Sequence, residues 1–267
     1  AVFGRLVCCD HANEGFLDVQ GLDGPANVLY LRTPDGGSPV GRTLEVRSRD
    51  QTISLWGRSW QTVQGLTCVG GGINANQAGS VLRGLDLSLV LNHNTLDWGT
   101  SPALYAQDDG TGCQLVDSRV TSIWGSAVSL NGNAATAGAW LVANNVISNI
   151  YGYCISAEPW RGTEIRENTL FDISGGMVSL NIPQGRIHHN LAWRGGQRDV
   201  DIGLFGMCGP TDAGGVEVSW NIIGDHRSLW DPAGPYNGGA LIRFDTSCSN
   251  YSIHHNICWG GTGEDDI

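Results

Sequence analysis

VANNVI, residues 142–147, is one of five stretches with the same layout: an apolar residue, two variable residues, Asn, then a pair that is usually apolar. The others are IRENTL (165–170), IHHNLA (187–192), VSWNII (218–223) and IHHNIC (253–258). Earlier, degenerate copies read VQGLTC (63–68), LRGLDL (82–87) and LVDSRV (115–120). The tightest spacings are about 19 to 23 residues, a period that marks a solenoid. The units are short, β-branched and broken by Gly, Asn and Ser, so each turn of the solenoid should hold strands rather than helices. Stacked coils place equivalent residues about 4.8 Å apart. The recurring asparagines, Asn145, Asn168, Asn190, Asn221 and Asn256, are therefore read as a structural ladder at a coil corner, each amide bonding its neighbours above and below.

A second set of strands precedes the asparagine units. GSAVSLN (125–131), GYCISAE (152–158), GGMVSLN (175–181), DVDIGLF (199–205) and GALIRFD (239–245) align without gaps. In that alignment Val128, Ile155, Val178, Ile202 and Ile242 form one inward column, and Leu130, Ala157, Leu180, Leu204 and Phe244 another. Three columns fall on the opposite face: Ser129, Ser156, Ser179, Gly203, Arg243; Asn131, Glu158, Asn181, Phe205, Asp245; and Ala127, Cys154, Met177, Asp201, Leu241. The first coils are bland there, and charge enters with Glu158, Asp201, Arg243 and Asp245. The same later coils carry the insertions GMCGPTDAGG (206–215) and DHRSLWDPAGPYNGG (225–239), and loops raised around a charged patch are how a solenoid builds a cleft. The fold expected is all-β, a right-handed single-stranded parallel β-helix with insertions in the later coils. Residues 1–45 would form an N-terminal β segment packing on or capping a solenoid that spans 46–267.

Composition narrows the function. The 267 residues include no lysine, and the net charge is −11, so a basic face for nucleic acid is missing. Tight binding of a strongly acidic polysaccharide is disfavoured for the same reason. No run of about 18 apolar residues exists to span a membrane. The opening AVFGRLVCCD lacks a basic-then-apolar layout, and it and the closing GGTGEDDI are expected to be internal to a longer reading frame. Eight cysteines in an acidic, glycine-rich chain fit a secreted, extracellular or periplasmic protein with some disulfides. Several of them occupy small apolar repeat positions, where buried free thiols are the alternative. Ten tryptophans serve either packing or, through their flat faces, sugar rings.

The pattern resembles the right-handed parallel β-helix proteins of the pectate-lyase-like superfamily, and most nearly glycoside hydrolase family 141. The resemblance rests on GFLDVQGLDGPANVLYLRTPDGGSPVGRTLEVRSRDQTISLWGRSWQTVQGLTCVGGGI (15–73) and on ALIRFDTSCSNYSIHHNICW (240–259). It covers nearly the whole chain. It is specific for fold and weak for reaction, since this fold hosts lyases, hydrolases, epimerases, esterases and adhesins. It implies a catalytic or substrate-contacting role for Asp245, with Asp201 or Asp199 as partner on the preceding coil. The opening phrase usual in these relatives is absent.

Glycoside hydrolysis needs a protonated acid and an ionised base or nucleophile. On the gapless alignment Asp201 and Asp245 lie on neighbouring coils four residues apart, about 14 Å between Cβ atoms. Side chains leaning together would approach the roughly 6.5–9.5 Å of inverting enzymes rather than the roughly 5 Å of retaining ones. Glu158, Trp160, Arg161, Arg243, Phe205 and Trp230 are the candidate substrate-binding residues. A surface ion-pair cluster explains the same charges without catalysis.

The reading is thus an enzyme, acting as a monomer, that hydrolyses a plant or microbial polysaccharide or oligosaccharide without a cofactor. A uronate lyase, with calcium, and a non-catalytic binding or structural β-helix stand as alternatives. His188–His189 and His254–His255 occupy equivalent repeat positions two coils apart, which favours a scaffold preference over a metal site. About 9.6 Å between the pairs argues against one shared ion.

Overall fold

The computed structural model describes residues 15–18, 25, 28–31, 35–38, 40–41, 51–90, 102–107, 110–131, 138–158, 161–197, 202–207, 212–227, 239–245 and 247–261. The chain divides into two compact units, Ala1–Val46 and Arg47–Ile267. In the first, Gly15–Asp18 pairs antiparallel with Val28–Leu31. The second is a right-handed parallel β-helix. Among the described residues there are three parallel sheets of eight strands and no helix.

Each coil contributes one strand to each sheet in turn. Sheet one runs from Gln51–Ser54 to Ala240–Phe244, sheet two from Thr62–Gln64 to Ser249–His254, and sheet three from Thr67–Val69 to Ile257–Trp259. One residue per strand points inward at a constant level. In sheet two these are Val63, Leu82, Leu115, Val142, Ile165, Ile187, Val218 and Ile253. In sheet three they are Cys68, Leu87, Val120, Ile147, Leu170, Ala192, Ile223 and Cys258. Away from the terminal coils both columns are fully buried, and this continuous apolar stack is the main stabilising term.

Between sheets two and three the chain turns in two residues. The first is left-handed in every coil: Gly65, Gly84, Asp117, Asn144, Glu167, His189, Trp220 and His255, at φ between 53° and 66°. Such a bend costs a non-glycine residue roughly 1–2 kcal/mol. The second residue offsets that cost. Asn145, Asn168, Asn190 and Asn221 each donate Nδ2 to the Oδ1 of the next asparagine, at 2.9–3.0 Å, and Asn256 ends the series. Each of the first four also donates its backbone N–H to the same oxygen at 3.0 Å. The ladder expected from the recurring Asn is present, and Ser118, at 4 % exposure, begins it by donating its N–H to Asn145 Oδ1.

Sheet one departs from the gapless alignment at a single strand. Val178 pairs with Phe205, not Ile202, and Phe205 in turn with Ile242. Phe205 is therefore a core residue, at 0 % exposure, and cannot bind substrate. The three-residue shift brings Leu204 next to Leu241 and beside Met177. Ala103, Ala127, Cys154, Met177, Leu204 and Leu241 then make one apolar column, each no more than 1 % exposed. The sequence reading had placed four of these outward. They lie where sheet three turns into sheet one, and strict in–out alternation holds only within a strand. Gly203 makes the shifted strand possible, for a Cβ there would sit 2.6 Å from Arg243 Cβ.

The expected insertion at 206–215 is also partly strand. Gly203–Met207 belongs to sheet one, and Asp212–Ser219 to sheet two, with a bulge between Asp212 and Val216. Cys68, Cys113 and Cys154 are buried free thiols, and Cys248 and Cys258 are half-buried. Cys8, Cys9 and Cys208 lie outside the described residues.

Candidate functional site

The outward face of sheet one is a polar strip. Asn74, Tyr105, Ser129, Ser156, Ser179, Gly206 and Arg243 occupy one column, one residue per coil. Two residues further along the strands, Gln107, Asn131 and Glu158 stand side by side. At about 4.8 Å per coil the first column extends on the order of 29 Å. It offers hydroxyls and amides until Arg243 closes it. Tyr105 Oη donates to Gln107 Oε1 at 2.7 Å, and the Gln107 backbone N–H donates to Asn76 Oδ1 of the preceding coil at 2.6 Å. Ser129 is only 9 % exposed although it points away from the core, so the strip is a recessed floor at that level.

Arg243 and Asp245 form the charged end. Arg243 Nε donates to Asp245 Oδ1 at 2.8 Å, with side chains 25 % and 28 % exposed. The two residues are i and i+2 on one strand face, which is why the sequence placed them together. The Cys248 thiol holds the turn by donating to the Asp245 carbonyl at 2.7 Å.

Asp199, Asp201, Trp160 and Trp230 lie outside the described residues. The four-residue offset between Asp201 and Asp245 rested on pairing Ile202 with Ile242, and the register is Phe205 with Ile242. Glu158 ends its strand opposite Asn131, three coils from Asp245. At about 14 Å that separation is too long for a direct acid–base pair. Arg161 sits at the turn into sheet two and donates to Gln184 Oε1 of the next coil at 3.2 Å. The sequence reading missed Asn74, Tyr105 and Gln107. LYAQ (104–107) carries the same alternation as VSLN (128–131), and extending the alignment one coil upstream finds it.

Several outward aromatic rings have one face covered by a neighbouring ring. Trp124 stacks on Tyr151 with centroids 4.2 Å apart and planes 7° from parallel, and Phe171 on Trp193 at 4.7 Å and 12°. These pairs stack along the coil axis, so each ring covers a face of its neighbour. Arg194 lies over both Phe171 and Trp193 at 5.5 and 5.6 Å, and its guanidinium is bidentate to Asp172 at 2.6 and 2.8 Å. This cluster braces adjacent coils.

Among the described residues no group of three or more His, Cys, Asp and Glu side chains converges as a metal site, and no helix is long and apolar enough to cross a membrane. Comparison with protein-family models, with curated proteins and with solved structures returned no match. What is established for this chain is the architecture, a parallel β-helix.

Proposed function

We propose that the chain is a carbohydrate-active β-helix that hydrolyses a neutral or weakly charged polysaccharide along the outer wall of sheet one. The observation that supports this is the composition of that wall: a row of hydroxyls and amides, one per coil from Asn74 to Ser179, then Gly206 and the Arg243–Asp245 pair. Sugar hydroxyls both donate and accept, and Ser, Tyr, Asn and Gln match them without the desolvation cost of charge. An extended glycan lying along the coil axis would run past this row toward Asp245. Held by the guanidinium, Asp245 is oriented as the proton acceptor of a two-carboxyl mechanism, and Asp199 or Asp201 is the proposed acid. An extracellular or periplasmic setting follows from such a substrate, and no cofactor enters the scheme.

The test is release of reducing ends from a panel of neutral plant and microbial polysaccharides. Wild-type protein should release sugar, and Asp245→Asn should lose on the order of 10²–10⁴-fold in rate while melting within a few degrees of wild type. Binding without product from wild-type protein would make the strip a binding surface. Calcium-dependent products absorbing as unsaturated uronates would replace hydrolysis by elimination.

A further inference from the structure

The two His–His bends carry chemistry that the outer wall of sheet one does not use. His188 ends a strand of sheet two, and His189 is the left-handed residue of the bend, at φ 56°. In extended chain, consecutive side chains point to opposite faces. The left-handed turn at His189 brings the second ring round to the first, so that Nδ1 of His188 and Nδ1 of His189 are 2.8 Å apart, with the rings 85° from parallel. Two coils on, the arrangement recurs. His255 is left-handed at φ 54°, its Nδ1 is 2.8 Å from Nδ1 of His254, and the rings stand at 89°.

In both copies the far nitrogen of the first histidine faces a glutamate of the preceding coil. His188 Nε2 is 2.8 Å from Glu164 Oε1, and His254 Nε2 is 3.5 Å from Glu217 Oε1. A carboxylate on the outer nitrogen of an imidazole sets the tautomer, leaving Nδ1 as a bare donor atom, and it is the usual partner of a metal-bound histidine. The second histidines are held by a ring between them: Trp220 stacks on His255 with centroids at 4.3 Å and faces His189 at 6.3 Å. In the first bend the His188 ring is thus oriented by a hydrogen bond to Glu164 before any ligand arrives, and in the second the His255 ring is held by Trp220.

We propose that each His–His bend is a two-nitrogen site for a divalent cation of tetragonal preference, Ni(II) or Cu(II). The nitrogen spacing selects the geometry. Two donors 2.8 Å apart and at right angles about a common centre lie about 2.0 Å from it, the bond length of a square-planar or tetragonal ion. A tetrahedral zinc at about 2.0–2.1 Å needs its nitrogens roughly 3.3 Å apart. Coil spacing puts the bends about 9.6 Å from each other, so each holds its own ion and water fills the remaining positions. The competing account of the same 2.8 Å contacts is a single shared proton in each pair.

Calorimetric titration of Ni(II) chloride into the metal-stripped chain at neutral pH decides between them. Two equivalents should belong to the bends. His189→Asn should remove one, His255→Asn the other, and the double variant both; Asn is chosen because it tolerates the left-handed conformation. Glu164→Gln should weaken the first site 10–100-fold and leave the second unchanged. Uptake that the double variant does not reduce by two overturns the proposal, whatever other histidines contribute. The Cu(II) electron paramagnetic spectrum of the unaltered chain gives a readout independent of any variant. Coupling to imidazole nitrogens is expected, and its absence also overturns the proposal.

Discussion

Replacing Asn190 by Ala removes the middle of the asparagine ladder. The side chain donates to Asn221 Oδ1 and to the Ile165 carbonyl, both at 2.9 Å. It also accepts two bonds at 3.0 Å, from the backbone N–H and from Nδ2 of Asn168. Asn168 keeps one Nδ2 contact, to the Val142 carbonyl at 2.9 Å. Truncation thus strands the Asn168 backbone N–H and one Asn168 amide proton, and takes the second bond from the Ile165 carbonyl, at a site where Asn168 is 1 % and Asn190 2 % exposed. Water does not reach these groups, so each costs about 1–3 kcal/mol, and about 4 kcal/mol together is a fair expectation. For a chain of this size that lowers the melting temperature by roughly 8–16 °C. Asn256→Ala is the internal control. It strands comparable groups on Asn221, but its own side chain is half-buried on the last coil, and solvent can replace it. The expected cost is about 1 kcal/mol, roughly 2–4 °C. Circular dichroism melting measures both, and hydrogen exchange of the Asn168 amide reports the lost bond directly. Equal melting shifts for the two variants, or an Asn168 amide that stays protected in Asn190→Ala, would refute the argument that burial of a continuous ladder sets its value.

The register of sheet one is tested by Phe205→Ala, which should cost about 3–5 kcal/mol in urea unfolding as a core cavity; an effect below about 0.5 kcal/mol would put the ring back on the surface. The guanidinium of Arg194 holds the Asp172 carboxyl below the usual carboxylate range. A depressed folded value means stability that is present above about pH 4 and lost as pH falls through that value. Because both side chains are about one-third exposed, the pair is worth no more than about 1 kcal/mol. Asp172→Asn should melt slightly lower than wild type at pH 7 and converge with it in acid, once the depressed Asp172 carboxyl is protonated, and a gap that widens in acid would contradict the sign. Burial pushes the Cys154 thiol far up and raises Cys68 and Cys113 as well. Mass-spectrometric mapping of alkylation at pH 8 should find these three modified only on unfolding; labelling of Cys154 in the native protein would exclude its burial.

Repetition made the solenoid legible from sequence alone. A position used once can be polar or apolar for many reasons, but Asn145, Asn168, Asn190, Asn221 and Asn256 recur at one place in a short unit, and only stacking satisfies the four buried amides among them at once. The inward columns of sheets two and three follow from the same period, as does the Arg243–Asp245 pair, which is local to one strand. The frame of Gly203–Met207 was beyond reach, because Ile202, Leu204 and Phe205 are all apolar and more than one register buries a plausible set. What decided it was the space beside Arg243 and at the corner filled by Met177 and Leu204. The corner itself, where consecutive residues both face inward, exists only once the chain has turned. The meeting of His188 with His189 is of the same kind: adjacency in sequence predicts opposite faces, and a single left-handed φ in the folded coil brings the two nitrogens together.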